Sequence, residues 1–391
     1  MSATLVSAIA LAPLATPLAT QGAVSLAAPS DTSAAMAYDK PEQHNYSGHK
    51  LARASTLSKA DNASKVHADQ LRLQADQLAT QGRHSQSLSL LIEALKLYQN
   101  GLEPDSPIIV LTINDIAQQY FYMGDLKAAE RYYKLLLIVS QSSFSALSQL
   151  ESNEKNIPAF VGTELNNIGA LYFKQGRWND AAAHFERALE IQARTIGSAS
   201  IEYARTLSNL GVVAANENNF EKANQYYSQA LKIRIDALGV HNKDYALSLH
   251  NIGRLRTCQG KHEEARRYLF KALEIRREIL GEEHPETAAS YFGLGELCSS
   301  QEDNSKAIEY QTRALALRLK TLGAANPEVA ASYFALGSYE EKLGNREKAH
   351  SHYAKSLEIR QSVLGSNHRD TLKALVALSV LEQKTLALAN Y

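Results

Sequence analysis

The sequence contains few of the residues on which disulfide-stabilised or redox proteins depend. Its 391 residues include only two cysteines, Cys258 and Cys298. Two cysteines cannot build a disulfide framework, and neither belongs to a C-x-x-C motif of the kind that binds zinc or exchanges electrons. We expect both to be reduced thiols in the core or in a groove, because unpaired cysteines are commonly buried.

An excess of charge of one sign is also missing. Lysine and arginine together number 41, and aspartate and glutamate together number 41, which gives a net charge of zero at pH 7. This balance provides no overall attraction to nucleic acid or to an anionic membrane. We therefore expect neither nucleic acid nor stable membrane insertion. With one tryptophan and nine prolines among abundant alanine and leucine, the composition favours an all-α protein.

The N-terminal segment allows two interpretations. No charged side chain precedes Asp31, and the apolar run Leu5–Leu14 with the small residues Ser25–Ala27 is typical of a secretory signal peptide. However, no lysine or arginine precedes that run, and Pro13 and Pro17 interrupt it, so it is too broken for a membrane span. The segment is either a signal peptide of an exported or periplasmic protein, or an alanine-rich leader (or a misassigned start) of a cytoplasmic one.

A column of small residues repeats with a period of 42 positions. An alanine recurs twelve positions after six of them, and a serine, Ser87, takes that place in the first unit. A fixed period of this length indicates a stacked array of one structural unit. Ten extra residues, within 140–160, interrupt the register once, between units two and three. We number the units one to eight by their column residues, the last being a half unit: Ala75, Ala117, Gly169, Gly211, Gly253, Gly295, Gly337 and Ser379.

The array is predicted to occupy residues 59–391, after a leader that occupies residues 1–58. The second half of the leader, residues 31–58, is polar and aperiodic, which is typical of a disordered linker. The insertion between units two and three is expected to lengthen a helix or a loop and to bend the array there.

Each unit is predicted to contain two helices, because its apolar residues recur at helical spacing on both sides of a polar turn. A cap-like residue begins the first helix of five units: Ser200, Asn242, His284, Asn326 and His368. An arginine recurs near the end of the second helix, where the helix dipole favours a cation: Arg234, Arg276, Arg318 and Arg360. One such pair cannot bury its own apolar face, so neighbouring units are expected to stack.

The segments LEIQARTIG, LKIRIDALG, LEIRREILG, LALRLKTLG and LEIRQSVLG close successive units. Together with the small column, the aromatic residues and the turn glycine, they resemble the tetratricopeptide repeat in its 42-residue form, which is similar to the repeats of kinesin light chains. The resemblance implies a right-handed superhelical solenoid of about seven helix pairs with a C-terminal capping helix. It also implies that the first helices line the concave side. The heptad region of a kinesin light chain is absent, so the motor role is not implied.

Several short motifs suggest chemistry at first sight. His284 lies among glutamates, but its column holds helix-capping residues in the other units. Gly293 and Gly295 lie within a predicted helix, whereas a phosphate loop requires glycines between a strand and a helix. The sequence His262-Glu263 lacks the second histidine of a zinc-protease helix. We therefore expect no catalytic residues, no metal and no cofactor, and predict that the protein is not an enzyme.

The resemblance places one set of side chains in the concave groove. Asn167, Asn209 and Asn251 recur 42 positions apart, and an amide offers both the donors and the acceptor that match the backbone of an extended peptide. Arginine and lysine would attract acidic groups, and phenylalanine would hold an apolar anchor. The predicted groove residues are Asn166, Asn167, Lys174, Arg205, Asn209, His250, Asn251, Arg254, Phe292 and Phe334.

These residues predict a non-catalytic scaffold or adaptor that binds a peptide segment of another protein. Three alternatives remain open. The asparagines could instead bridge neighbouring helices without contacting a ligand. The array could be a regulatory sensor whose superhelix changes shape on binding a short peptide or a small ligand. It could also assemble through its convex face, and the sequence does not determine an oligomeric state.

Overall fold

The structure is a computed structural model that describes residues 59–80, 83–102, 106–136 and 159–389. Within these residues it contains fifteen helices and no strand, in agreement with the all-α prediction. The predicted leader, residues 1–58, lies outside the described residues, as does most of the insertion between units two and three. No helix in the described part of the chain combines the length and apolar character that a bilayer crossing requires.

The helices alternate between the first and second positions of each unit. The first helices are α1 (Lys59–Thr80), α3 (Pro107–Met123), α5 (Ala159–Lys174), α7 (Ile201–Asn216), α9 (Lys243–Cys258), α11 (Pro285–Ser300), α13 (Pro327–Lys342) and α15 (Arg369–Ala389). The second helices are α2 (His84–Gly101), α4 (residues 126–136), α6 (Trp178–Thr195), α8 (Phe220–Leu238), α10 (His262–Leu280), α12 (Asn304–Leu322) and α14 (Arg346–Leu364).

The column glycines allow the two helices of a unit to approach closely. A Cβ atom added to Gly211 would lie 2.5 Å from Cε1 of Tyr227, and one added to Gly337 would lie 2.6 Å from Cδ1 of Tyr353. The same position of the second helix packs against the column glycine in unit after unit: Phe185, Tyr227, Leu269, Gln311 and Tyr353. The close-packing role predicted for the glycines is confirmed.

The predicted helix starts are also confirmed. The side chains of Ser200, Asn242 and Asn326 accept hydrogen bonds from backbone N–H groups in the first turns of α7, α9 and α13. His284 caps α11 in the same way, with its Nδ1 accepting from the N–H of Glu286 at 3.2 Å. His284 is therefore a structural residue of the repeat.

The arginine column has a different role from the one predicted. Arg234, Arg276 and Arg318 are not at a solvated helix end, since their exposed fractions are 0%, 1% and 4%. Each guanidinium donates to a serine of the next unit's first helix, at distances of 2.7, 2.9 and 2.9 Å respectively: Ser248, Ser290 and Ser332. The column therefore ties each unit to the next, and helix-dipole compensation is not its main effect.

The stacked units curve into a superhelix whose successive turns touch. The turn between α3 and α4 contacts the start of α13, and the turn between α5 and α6 contacts the start of α15. Unit two thus meets unit seven and unit three meets unit eight, so one superhelical turn spans five units. First helices of successive units contact one another directly, as expected of helices on the concave side. The side of them that carries the asparagine column is called the inner face below.

Candidate functional site

The predicted groove residues lie on five first helices, but most of them are buried. Arg205, Asn209, His250 and Asn251 have exposed fractions of 2% or less. Only Lys174 and Phe334 among the ten are half-buried. In this conformation the inner face is therefore a packed surface of polar side chains, and not an open trench.

The asparagines form a ladder between neighbouring units. Asn167 donates from Nδ2 to Oδ1 of Asn114 at 3.2 Å, and Asn209 donates from Nδ2 to Oδ1 of Asn166 at 2.9 Å. This is the helix-bridging arrangement that the sequence left open as an alternative. The bridging uses only part of each amide, because Nδ2 of Asn166 and Oδ1 of Asn167 bond no group within the described residues.

The ladder changes at unit five. Ser208 occupies the position that would accept from Asn251, and its hydroxyl instead accepts from Nη1 of Arg234 at 3.0 Å. Asn251 is completely buried, yet neither its Nδ2 nor its Oδ1 has a hydrogen-bond partner in the described part of the chain. The neighbouring His250 is 1% exposed and its Nδ1 is likewise unbonded there.

A buried ion pair extends the inner face from unit five to unit six. Arg254 donates from Nε to Oε2 of Glu296 at 2.6 Å and from Nη2 to Oε1 at 2.8 Å. The pair is bidentate and its side chains are 5% and 12% exposed. Two parallel bonds of this kind fix both side chains in one geometry. Arg254 is thus engaged within the protein in this conformation.

His250 lies beside several arginines. Burial lowers the pKa of its imidazole well below the usual value of 6.5, and the charges of Arg276, Arg254 and Arg318 lower it further. A protonated imidazole at this position would be a buried charge close to three guanidinium groups. His250 therefore contributes neutral hydrogen-bonding atoms to the inner face near pH 7.

The two phenylalanines lie against guanidinium groups. Phe292 has the Cζ of Arg318 at 4.5 Å and that of Arg254 at 5.9 Å from its ring centre, and Phe334 has the Cζ of Arg360 at 4.8 Å. A charged guanidinium that lies against the face of an aromatic ring is stabilised by this cation–π contact. The region predicted to be an apolar pocket is therefore a set of stacked arginines and phenylalanines.

Lys174 lies apart from the other predicted residues. Its ammonium group is 2.8 Å from Oε1 of Glu328, which belongs to the next turn of the superhelix. The repeat pattern gave no signal for this contact, because Glu328 occupies a column in which units four to eight all carry an acidic residue: Glu202, Asp244, Glu286, Glu328 and Asp370. The structure therefore assigns Lys174 to the contact between turns.

Two open clefts lie over second helices. One, of about 250 Å³, is lined by residues of α8, α9 and α10 that include Lys232, Arg256 and Tyr268. The other, of about 480 Å³, is lined by residues that include Phe270 and Arg277 of α10. Both cysteines are free thiols. Among the described residues, no cluster of three or more histidine, cysteine, aspartate and glutamate side chains is suited to a metal ion.

Solved structures of similar fold cover most of the chain. A Rap protein complexed with Competence and Sporulation Factor has a TM-score of 0.56, is 18% identical, and covers 83% of this chain and 87% of its own. NprR in complex with its cognate peptide NprX has a TM-score of 0.55, is 16% identical, and covers 79% and 82%. The nearly identical TPR-like repeats assigned to a kinesin light chain of Podosopora anserina have a TM-score of 0.39, are 21% identical, and cover 53% and 98%.

A comparison with curated protein sequences found no significant match. The family model described as Tetratricopeptide repeat matches residues 70–137, 163–236, 244–320, 305–362 and 328–386, which together span most of the described array. Each match covers three or four successive helices of the structure. The chain belongs to the tetratricopeptide-repeat family.

Proposed function

We propose that this protein is a non-catalytic interaction scaffold that binds a peptide segment of another protein on its inner face. The observation that carries the proposal is the set of amide atoms on that face that bond no described protein group: Nδ2 of Asn166, Oδ1 of Asn167, and both polar atoms of Asn251. They include donors and acceptors, which is the combination that a peptide main chain requires.

An unbonded buried amide costs about 1–3 kcal/mol, so a ligand that satisfies these atoms would gain correspondingly. Two solved structures of the same fold class support this assignment, because one is described as a complex with Competence and Sporulation Factor and the other as a complex with a cognate peptide. Their identity to this chain is 18% and 16%, so they support the class of ligand and not its sequence.

The experiment is a selection of peptides from a random displayed library on the full chain, followed by calorimetric titration of the selected peptides. Asn251→Ala should weaken their binding by about fivefold or more, because about 1–3 kcal/mol of hydrogen bonding is lost. Asn179→Ala is the matched control, since Asn179 lies exposed on α6. Equal binding to all three proteins would remove the inner face as the binding site.

A second candidate function is a sensor whose superhelix changes shape when it binds a ligand. The contacts between successive turns favour it, because a closed superhelix can exist in two discrete arrangements. In that case the selected peptides would change the radius of gyration of the protein in small-angle X-ray scattering, whereas a rigid scaffold would keep it constant.

A further inference from the structure

Residues far apart in the chain join successive turns of the superhelix at two places. At the first, between units two and seven, Nδ2 of Asn326 donates to the backbone oxygen of Tyr122 at 3.4 Å across 204 residues. A Cβ atom added to Gly124 would lie 2.7 Å from Cδ of Pro327, so the proline ring packs directly on the backbone of Gly124. This part of the contact depends on a glycine with a φ of +85°.

The second place joins units three and eight and is more polar. The backbone oxygen of Lys174 accepts a hydrogen bond from Nε2 of His368 at 2.9 Å. Nδ1 of His368 accepts from the N–H of Asp370, so the proton of the neutral ring lies on Nε2 and is donated to Lys174. The guanidinium of Arg369 stacks over the ring of Trp178, with its Cζ 4.1 Å from the ring centre.

The ion pair between Lys174 and Glu328 strengthens the same region. Its side chains are 23% and 34% exposed, so water and salt reach it. Glu328 also pairs with Arg318 through Oε2 at 3.0 Å. Glu328 therefore keeps a cationic partner when Lys174 moves away. We call the contacts of Tyr122, Gly124, Lys174 and Trp178 with Asn326, Pro327, Glu328, His368 and Arg369 the seam.

The seam differs in kind from the contacts inside a unit. Inside a unit, large side chains such as Tyr227 pack on a column glycine with 1% exposure. Apart from the packing of Pro327 and Val363 on Gly124, the seam consists of single hydrogen bonds, one partly exposed ion pair and one cation–π contact, which are individually weak. Opening the seam would therefore leave the helix pairs intact.

We propose that the seam is a reversible latch that holds the superhelix closed over the inner face, and that a partner peptide reaches Asn251 only when the latch opens. This inference rests on the proposed function only in taking a peptide as the ligand. The opening of the latch does not depend on the proposed function. The apparent affinity of a ligand falls in proportion to the fraction of protein in the competent state. The latch would thus determine the apparent affinity of the inner face for the peptide without contacting the peptide.

Cys258 provides a probe of opening that needs no partner. It lies on α9 one turn after Arg254, and the charges of Arg254 and Glu296 act on its half-buried thiol. Cys298 provides the control, because it lies near Asp303 and Lys306 at the turn between α11 and α12. The rate at which a bulky maleimide labels Cys258 is measured on the full chain with Cys298→Ser, and the rate for Cys298 is measured with Cys258→Ser.

The latch is weakened by Lys174→Ala combined with Arg369→Ala. We expect the labelling rate of Cys258 to rise at least about fivefold, with an increase in the radius of gyration, while the rate for Cys298 changes less than about twofold. Lys320→Ala is the matched control, because it removes an exposed ion pair between the end of α12 and Glu283 in the loop before α11, away from the seam. An unchanged rate and radius in the double variant, with helicity preserved, would overturn the proposal.

A covalent lock tests the closed state directly. A Cβ atom added to Gly176 would lie 3.9 Å from Cβ of Arg369, which is within the range of about 3.5–4.5 Å for a disulfide. Gly176→Cys with Arg369→Cys, in a chain whose native cysteines are serine, should form an intramolecular disulfide in air and shift on a non-reducing gel. Gly176 has a φ of +76°, so Gly176→Cys alone must first keep the helicity and the urea midpoint of the wild type. Failure to form the disulfide in that case would refute the closed seam. Neither measurement uses a peptide, so either can fail or succeed independently of the proposed function.

Discussion

Gln311 breaks the packing rule of the array, and its replacement should stabilise the protein. It packs against Gly295 at the position that Phe185, Leu269 and the tyrosines occupy in the other units, with its Oε1 3.2 Å from a Cβ added to that glycine. Its exposed fraction is 0%, and neither Oε1 nor Nε2 bonds a group within the described residues. Gln311→Leu would give this unit the residue of unit five.

The expected gain follows from the cost of burying an amide. An amide buried without hydrogen bonds costs about 1–3 kcal/mol by mutational data, and leucine fills a similar volume without polar atoms. We therefore expect Gln311→Leu to raise the free energy of unfolding by about 1–3 kcal/mol. The matched control is Gln192→Leu: Gln192 is 1% exposed, but its Oε1 accepts from the hydroxyl of Thr206 at 2.9 Å. Losing this bond should cost about 0.5–1.5 kcal/mol, so the same substitution has opposite signs at the two sites.

The measurement is hydrogen exchange of the amides in α11 and α12, read together with the urea midpoint from circular dichroism. Local exchange is needed because a long repeat array departs from two-state unfolding. Slower exchange confined to these helices and their neighbours is the expected result. Faster exchange in Gln311→Leu would refute the reasoning, since it would mean that the amide is satisfied, as by a buried water.

Three further predictions concern charge and close packing. The pKa of His250 is lowered in the folded state, so the unfolded chain binds the proton more readily. As the pH decreases below about 6.5, the free energy of unfolding should therefore decrease by up to about 1.4 kcal/mol per pH unit. His250→Asn should abolish this pH dependence in urea titrations at several pH values. Arg276→Ala should cost about 1.5–3 kcal/mol in urea unfolding, because the hydrogen bonds of a buried guanidinium to Ser290 and to the backbone oxygen of Glu286 are lost. Arg277→Ala, at an exposed ion pair, should cost less than about 1 kcal/mol. Gly211→Ala should cost about 1–3 kcal/mol in the same assay, because the added Cβ would lie 2.5 Å from Cε1 of Tyr227. Gly295→Ala should cost less, since the nearest atoms to its added Cβ are 3.2 Å away. Equal costs for the two variants would contradict this packing argument.

The fold was predictable because its determinants are local and repeated. These determinants are a column glycine, a cap such as Asn242 and apolar residues at helical spacing. Each acts within one helix pair, and the 42-residue period repeats it five times or more. The repeated pattern did not reveal the role of the arginine column, because that role depends on contacts between units. Arg276 has the spacing expected of a residue at a helix end, and only the stacking angle between units shows that it is buried against Ser290.

The inner face was predictable in composition but not in connectivity. The asparagine column follows from the period, yet the bond from Asn209 to Asn166 depends on how far one unit is rotated against the next. That rotation accumulates over four successive units before Lys174 of unit three meets Glu328 of unit seven, so a small error in the rotation at each step would add up. No periodic pattern within a unit contains this information, and the seam therefore had no signature in the sequence.

The contact between turns changes how the array should respond to damage. A linear stack of repeats is quasi-one-dimensional, since each repeat interacts only with its neighbours and unravels from its ends. Here the first helix of unit seven and that of unit eight also support units two and three, across 154 to 204 residues of chain. The contacts thus connect the units as in a ring. Fraying of the helices at one terminus should therefore destabilise helices near the other terminus before any unit between them unfolds.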